Sequence, residues 1–361
     1  MDLAIAHISF LNFRSYEAFD LDGIGPLTVL VGPNAAGKTN VVEGIGLLTA
    51  HSSFRHAPGD PVVRAGAPFA RLTADVTDGS RQLELAVQMA EGKKKHLLNG
   101  KPKRTADLKG LVPSVTFTPD DLELAKGAMS VRRAALFEKL AASMASYYAE
   151  ITDGHERLDA GFVPSWEEHD PLSFATRTFG RDEAREALAD ALARRGGEER
   201  VRKRALVGPH ADRIEFFIDG KNAALFGSQG QQRSVVLAFK LAEATLIQDI
   251  LRQKPVLLLD DVMSELDAAR RRALVAFISG DIQTFITTTN LAYFDDDLLG
   301  GARIVELEKP RVTSETPGED RMFHVKHSPI DAQPARGEAE ERDGQPSDPA
   351  EQPSARIEGD S

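Results

Sequence analysis

The 361-residue chain is 42% apolar, carries 44 basic against 55 acidic side chains for a formal charge of −11, and contains no cysteine. Its length is a prior for two domains with a sizeable core, and the missing cysteines exclude disulfides, thiolate zinc sites and thiol nucleophiles. No run of 18 apolar residues occurs, and MDLAIAHISF lacks the basic start and long apolar stretch of a signal peptide, so a soluble cytoplasmic protein without membrane contact is expected.

The charge is unevenly distributed. Residues 310–361 hold 12 acidic and 6 basic side chains, a net of −6, with 7 of the 19 prolines and a single aromatic, Phe323; residues 1–309 keep only −5. Such a stretch cannot bury enough apolar area to offset its ordering entropy, and it reads as a disordered acidic tail. A mildly acidic body with local basic clusters is compatible with binding a polyanion.

In chain order, Leu3 to Phe10 alternates and is rich in β-formers, and the turn residues Asp20 to Pro26 precede the apolar run Leu27 to Val31. This predicts a strand, a turn and a second strand. Between them lies Asn12-Phe13-Arg14-Ser15-Tyr16, whose Arg14 either touches a nucleotide or is a solvated surface residue. Directly after the second strand come Gly32, Pro33, Asn34, Ala35, Ala36, Gly37, Lys38 and Thr39, and then Asn40 and a helical pattern of Val41, Val42, Ile45 and Leu48. A G-x-x-x-x-G-K-[ST] turn between strand and helix presents backbone N–H groups and a helix N-terminus to phosphate. Lys38 then reaches the outer phosphates, and the Thr39 hydroxyl is placed to ligate Mg²⁺. ATP and Mg²⁺ are the expected cofactors, with Gly32 to Asn40 as the cradle.

From Phe69 to Asn99 the pattern is of alternating strands, with Leu83, Leu85 and Val87 facing one way. Lys93-Lys94-Lys95-His96, followed by Lys101, Lys103 and Arg104, forms a basic hairpin tip that is a solvated turn, a blunted sheet edge or a phosphate-backbone contact. Ser114 to Leu122 runs from a strand into a turn at Pro119, where Asp120 and Asp121 offer a helix cap. Residues 129–205 read as a separate helical lobe broken into two pieces by Gly154, Gly161, Pro164 and Pro171, with Trp166 on the connection. Its basic run from Arg194 to Arg204 is either a solvated helix face or a binding surface.

Ser228, Gly230 and Gln231, in Gly227-Ser228-Gln229-Gly230-Gln231-Gln232-Arg233, open a helical pattern with Val235, Val236, Phe239, Leu241, Ala242 and Leu246. A Ser-x-Gly-Gln cluster at a helix start is a second anion site. One ATP does not need two such sites. The second therefore serves the nucleotide of another subunit, which predicts an ATP-dependent, head-to-tail homodimer. Pro255 to Leu259 is an unbroken apolar run ending in Asp260 and Asp261, as suits a strand buried on both faces of a parallel sheet with ligand at its C-terminal end. There Asp260 holds Mg²⁺ and Asp261 polarises the attacking water. Ser264 to Asp267 lines the subunit seam, and Phe285 to Thr289 is a strand ending in hydroxyls near the phosphates.

The order GPNAAGKT, SQGQQR, LLLDDVMSELD and FITTT resembles the ABC-type ATPase heads of the SMC group. Within that group NFRSY, SSFR, LNGK, FTPDDL and LVGPH resemble the RecF family of bacterial recombination mediators, over nearly all of residues 1–309. The resemblance implies an α/β fold, an ABC-type ATPase head with a P-loop mixed sheet, plus a shortened helical lobe and a disordered tail. The head would comprise residues 1–128 and 206–309, the lobe 129–205 and the tail 310–361. It makes Lys38 and Thr39 the Walker A residues, Asp260 and Asp261 the Walker B pair, Ser228 to Gln231 the signature, and Asp267 the D-loop aspartate. It implies slow, DNA-stimulated ATP hydrolysis, binding to duplex DNA and to single-strand gaps or junctions, and RecR, RecO and RecA as partners in recombinase loading. Alternative readings are another SMC-like ATPase and a nucleotide-gated protein scaffold without DNA loading. Three departures stand out: Ala211 follows the His of the GPH segment where the family usually shows Arg, with Arg213 in place of an acidic residue; the lobe is short; and the tail is extra. No role is carried over to the GPH stretch.

Overall fold

The computed structural model describes residues 2–55, 62–118, 121, 134–166, 181–208, 211, 213–279 and 282–308. The acidic tail, with the unit Pro329–Ser361 inside it, lies outside the described residues, as do Pro119, Asp120, Arg132, Arg133, Pro171 and His210. The chain runs β1 (Ala4–Phe13), β2 (Tyr16–Leu21), β3 (Leu27–Val31), α1 (Lys38–Thr49), β4 (Phe69–Thr77), β5 (Gln82–Ala90), β6 (Lys93–Leu98) and β7 (Lys101–Lys103). It continues through α2 (Thr105–Leu108), β8 (Ser114–Phe117), α3 (Ala134–Ile151), β9 (Leu158–Val163), α4 (Arg181–Arg202), β10 (Arg213–Ile218), β11 (Lys221–Asn222) and α5 (Ala223–Phe226). The last elements are α6 (Gln229–Leu251), β12 (Val256–Asp260), α7 (Val262–Glu265), α8 (Ala268–Ile278), β13 (Thr284–Thr288), α9 (Asp296–Gly300) and β14 (Arg303–Glu306).

The unbroken apolar run of β12 is buried at all five positions because it lies inside a parallel sheet of order β14-β3-β13-β12-β8. Successive side chains leave a strand on opposite faces, so this sheet separates two cores. Leu258 and Phe285 join one, with Val41, Val42, Ile45 and Leu48 of α1 and the inner face of the antiparallel sheet β2-β1-β4-β5-β6-β7. Leu257, Leu259 and Ile286 join the other, where Tyr148 of α3, Leu241 of α6 and Leu274 of α8 pack. Each large side chain so buried contributes about 1.5–3 kcal/mol. The carboxamide of Gln283 links the sheets, accepting from Ile5 N–H at 2.7 Å and donating to Ile5 O at 2.8 Å.

Two local readings needed correction. The opening segment holds an additional strand: β2 pairs with β1 through the register Phe13↔Tyr16, and Arg14 takes φ +53° in the turn. Its buried residues, Tyr16, Phe19 and Leu21, do not alternate strictly, so their period was hidden. The break between α3 and α4 contains β9, with Gly161 inside it, paired antiparallel to β10 about fifty residues later. Asp121 Oδ2 accepts from Thr118 N at 2.6 Å, and its Oδ1 pairs with Lys240 of α6 at 3.2 Å; the helix expected after it lies outside the described residues. Among the described residues no helix is long and apolar enough to cross a membrane.

The C-terminal end of α1 meets β6 through two imidazoles. His51 stands edge-on to His96 with ring centroids 5.1 Å apart, and His96 Nδ1 has no hydrogen-bond partner. Burial holds His96 below its ordinary value, reinforced by His51 and Lys94. Burial also lowers His51, opposed by the Leu108 backbone and helped by Lys109. A histidine depressed by folding contributes stability that is complete above the unfolded value of about 6.5 and is lost as pH falls below it. His7 has the opposite sign. Burial lowers it, but Asp20, Asp75 and Asp22 prevail and hold it raised, so its contribution is present at low pH and lost as pH rises through its folded value. We expect the melting temperature to drop between about pH 7 and about pH 5.5, and His96→Leu to flatten that drop. An equal drop in the variant would remove His96 from the account.

Candidate nucleotide-binding site

The phosphate loop is suspended between β3 and α1. Leu307 N–H donates to Val31 O at 2.8 Å, and Gly32 N–H to Thr288 O at 3.3 Å, which secures the end of β3. Gly37 caps α1 at φ +95°, and a Cβ there would lie 2.5 Å from the Tyr16 hydroxyl, so this position requires glycine. Lys38 Nζ donates to the carbonyls of Gly32 at 2.7 Å and Pro33 at 3.0 Å, folding the ammonium over the loop. Burial lowers the Lys38 pKa against the opposing pull of Asp261 and Asp260.

Both aspartates stand at the C-terminal end of β12, beside this loop. Asp260 is buried, and Thr287 Oγ1 donates to its Oδ1 at 2.8 Å. Burial pushes the Asp260 carboxyl up, offset in part by Thr287, Thr39, Arg55 and Lys38. Asp261 takes φ +52°, and its N–H donates to Thr287 Oγ1 at 2.9 Å. Its Oδ1 is buried with no hydrogen-bond partner. Burial raises Asp261 too, with Asp260 and Glu265 adding to the effect and Lys38 opposing it. Hydroxyl and carboxylate oxygens around a buried, uncommitted carboxylate oxygen are the donor set a hard divalent cation takes, and the residues fit Mg²⁺ with a nucleotide phosphate.

Behind the loop, Arg14 is not a solvated surface residue. Its side chain is 9% exposed, and the guanidinium donates to Glu43 of α1, Nε to Oε2 at 2.8 Å and Nη2 to Oε1 at 2.5 Å. Glu43, fully buried, also accepts from Ser53 Oγ at 2.6 Å and lies 3.5 Å from Arg55 Nη1. Asn40 joins the same group, donating to Ser15 Oγ and accepting from Arg55 Nη1, each at 2.9 Å. NFRSY and SSFR thus converge on α1. Glu43 belongs to no motif, and only its burial reveals it.

The second cluster opens α6. Ser228, exposed, is its N-cap: Ser228 Oγ accepts from Gln231 N–H at 3.2 Å, and Gln231 Oε1 accepts from Ser228 N–H at 2.8 Å. Two arginines clamp this helix to the segment after Asp261. Arg270 Nη2 donates to Gly230 O at 2.6 Å and Nε to Ser234 Oγ at 2.8 Å, while its other arm pairs with Asp267. Asp267 Oδ1 caps α8 at Arg270 N–H. Arg233 binds the Glu265 carbonyl at 2.8 Å and its carboxylate at 2.5 Å. Lys38, Thr39, Asp260 and Asp261 are therefore gathered in one group, and Ser228, Gly230, Gln231 and Asp267 in another. No hydrogen bond or ion pair among the described residues joins Ser228, Gly230 or Gln231 to Gly32–Asn40. Sequence reasoning missed Arg233 and Arg270, whose role comes from what they touch.

The RecF/RecN/SMC N terminal domain family matches residues 4–298. The DNA replication and repair protein RecF of Moorella thermoacetica is 33% identical over an alignment covering 86% of this chain and 98% of that protein. RecF of Heliobacterium modesticaldum is 32% identical, with 85% and 98% covered. The chain belongs to the RecF family. A solved recombination mediator RecF with ATP, in the RecFOR pathway, superposes with a TM-score of 0.70 at 23% identity, covering 85% of this chain and 98% of that one. An SMC head bound to the C-winged helix domain of ScpA gives 0.54 at 16%, covering 84% and 93%. At these identities the likeness establishes the fold, an ABC-type α/β head.

In this RecF-family chain the basic hairpin forms the free edge of the antiparallel sheet. Lys93, Lys94 and Lys95 of β6 and Lys101 and Lys103 of β7 are all exposed, and none forms an ion pair among the described residues. In the α4 run, by contrast, Arg202 pairs with Glu198 and Arg200 donates to the Gly196 carbonyl.

Proposed function

We propose that the chain is a cytoplasmic, ATP-hydrolysing recombination mediator of the RecF type that closes into a homodimer on ATP and binds DNA during repair. The observation that carries this is the convergence of Lys38, Thr39, Asp260 and Asp261, with the buried Oδ1 of Asp261 uncommitted. In this reading Gly32 to Asn40 cradles the phosphates and Lys38 moves from the loop carbonyls to the outer phosphates. Thr39 and Asp260 hold Mg²⁺, which when bound neutralises phosphate charge. Asp261 orients and deprotonates the attacking water.

Ser228, Gly230 and Gln231 form the second anion site, for the other subunit's nucleotide. In support, Ser228 is exposed, and the apolar pair before it, Leu225 and Phe226, is 57% and 60% exposed, as a surface awaiting a partner would be. Ser228→Arg puts bulk and charge where that phosphate would sit. It should bind ATP like the wild type but fail to dimerise, as read by sedimentation with and without ATP; an unchanged dimer would sink the sandwich.

For DNA, the unpaired lysines of β6 and β7 are the favoured surface, and the salt dependence tests it. Each phosphate neutralised contributes a slope of about −0.9 in log affinity against log salt. Replacing Lys93 and Lys95 by Ala should weaken binding to gapped duplex and make that slope shallower by about 2. Binding with an unaltered slope would move the DNA elsewhere. RecO and RecR, named with the solved relative's RecFOR pathway, and RecA are the proposed partners in recombinase loading.

A further inference from the structure

Gln231 connects the start of α6 to the turn between α3 and β9. While its Oε1 accepts from Ser228 N–H, its Nε2 donates to Glu156 Oε1 at 2.8 Å, 75 residues earlier in the chain. The other oxygen of Glu156 accepts from the Tyr148 hydroxyl at 2.5 Å, and Tyr148 is fully buried on α3. An ionised carboxylate only accepts hydrogen bonds, so Glu156 holds the NH₂ side of the Gln231 amide and leaves the carbonyl side for Ser228. An amide by itself has no such preference. Burial, with Glu156 beside it, pushes the Tyr148 pKa far up, so its hydroxyl stays a donor.

We propose that Glu156 is a positioning residue for ATP-dependent dimerisation: through Gln231 it fixes the cap of α6, and with it the direction in which Ser228 and the first free N–H groups face. This rests on the ATP-sandwich reading above. It also makes the cap responsive to the α3–β9 turn, since any shift of that turn against α6 removes the acceptor that orients Gln231.

The full-length chain tests this. Glu156→Gln is isosteric but presents an amide to an amide. With the Tyr148 hydroxyl taking the new carbonyl, the new NH₂ faces that of Gln231, which must turn and offer donors to Ser228 N–H. The ATPγS-dependent dimer should weaken about tenfold, the scale of one such hydrogen bond. Nucleotide affinity of the monomer and the melting temperature should stay near wild type. Tyr148→Phe, which keeps the acceptor, should give a smaller loss. A Glu156→Gln dimer as tight as wild type overturns the proposal, as does a Tyr148→Phe loss as large as that of Glu156→Gln. Absence of an ATPγS dimer in the wild type and every variant alike overturns the sandwich reading itself and this inference with it.

Discussion

Asp261→Asn should bind ATP as the wild type does and hydrolyse it about 10²- to 10⁴-fold more slowly, the range associated with losing a positioned base. The amide keeps the shape of the side chain, and the contacts of Lys38 and Thr39 are untouched, so binding survives while proton acceptance is lost. The variant should consequently accumulate as the ATP-bound dimer. Lys38→Ala should behave oppositely, losing nucleotide binding outright. The acidity of Asp261 adds a pH expectation. Burial raises its carboxyl above the ordinary value, and the ionised form is the active one, so hydrolysis should fade on acidification at a pH above the usual carboxylate range, while the Asn variant shows no such limb. Phosphate release and equilibrium ATP binding, measured side by side, decide the matter: a normal rate in Asp261→Asn would end the general-base assignment.

Glu43→Ala is expected to be the most destabilising single change near the site, at about 3–5 kcal/mol, the cost of leaving one member of a buried ion pair behind. The Arg14 side chain, 9% exposed, would lose its bidentate acceptor, and Ser53 its carboxylate partner. Removing both charges at once, as Arg14→Leu with Glu43→Leu, should recover much of that loss, because no charge is then stranded in an apolar setting. Since Glu43 lies on the helix that begins with Lys38 and Thr39, ATP affinity should fall with stability in the single variant. Denaturant midpoints of the single and double variants, at equal slope, make the comparison; a double variant as unstable as the single would mean that packing rather than charge dominates here.

The elements around the phosphate loop were legible because each is a local pattern. The apolar run of β3, the Gly-rich turn and the 3.6-residue period of α1 are contiguous, as are β12 with its terminal aspartates and Ser228 at the head of α6. The basic run reads as a hairpin tip, whereas Lys93 to Lys95 lie along β6 and Lys101 and Lys103 along β7, at the edge of the antiparallel sheet. The described helices α3 and α4 fall where the Ala-rich pattern put them.

By itself, the sequence determined which segments could be strands or helices, where backbone N–H groups would be left free at helix starts, and that paired carboxylates would end a buried strand. Tertiary structure decided the rest. Strand β9 becomes a strand by meeting β10, about fifty residues on, and β2 by closing on β1. Arg14 is a buried partner of α1 rather than a surface cation because Glu43, 29 residues later, is folded under it. The orientation of Gln231 depends on Glu156, and that of Gly230 on Arg270, 75 and 40 residues away. A propensity or a period is a property of neighbours in the chain, whereas hydrogen bonding and ion pairing in a dry interior depend on which groups the packed sheets and helices bring within about 3 Å, and no local pattern encodes that meeting.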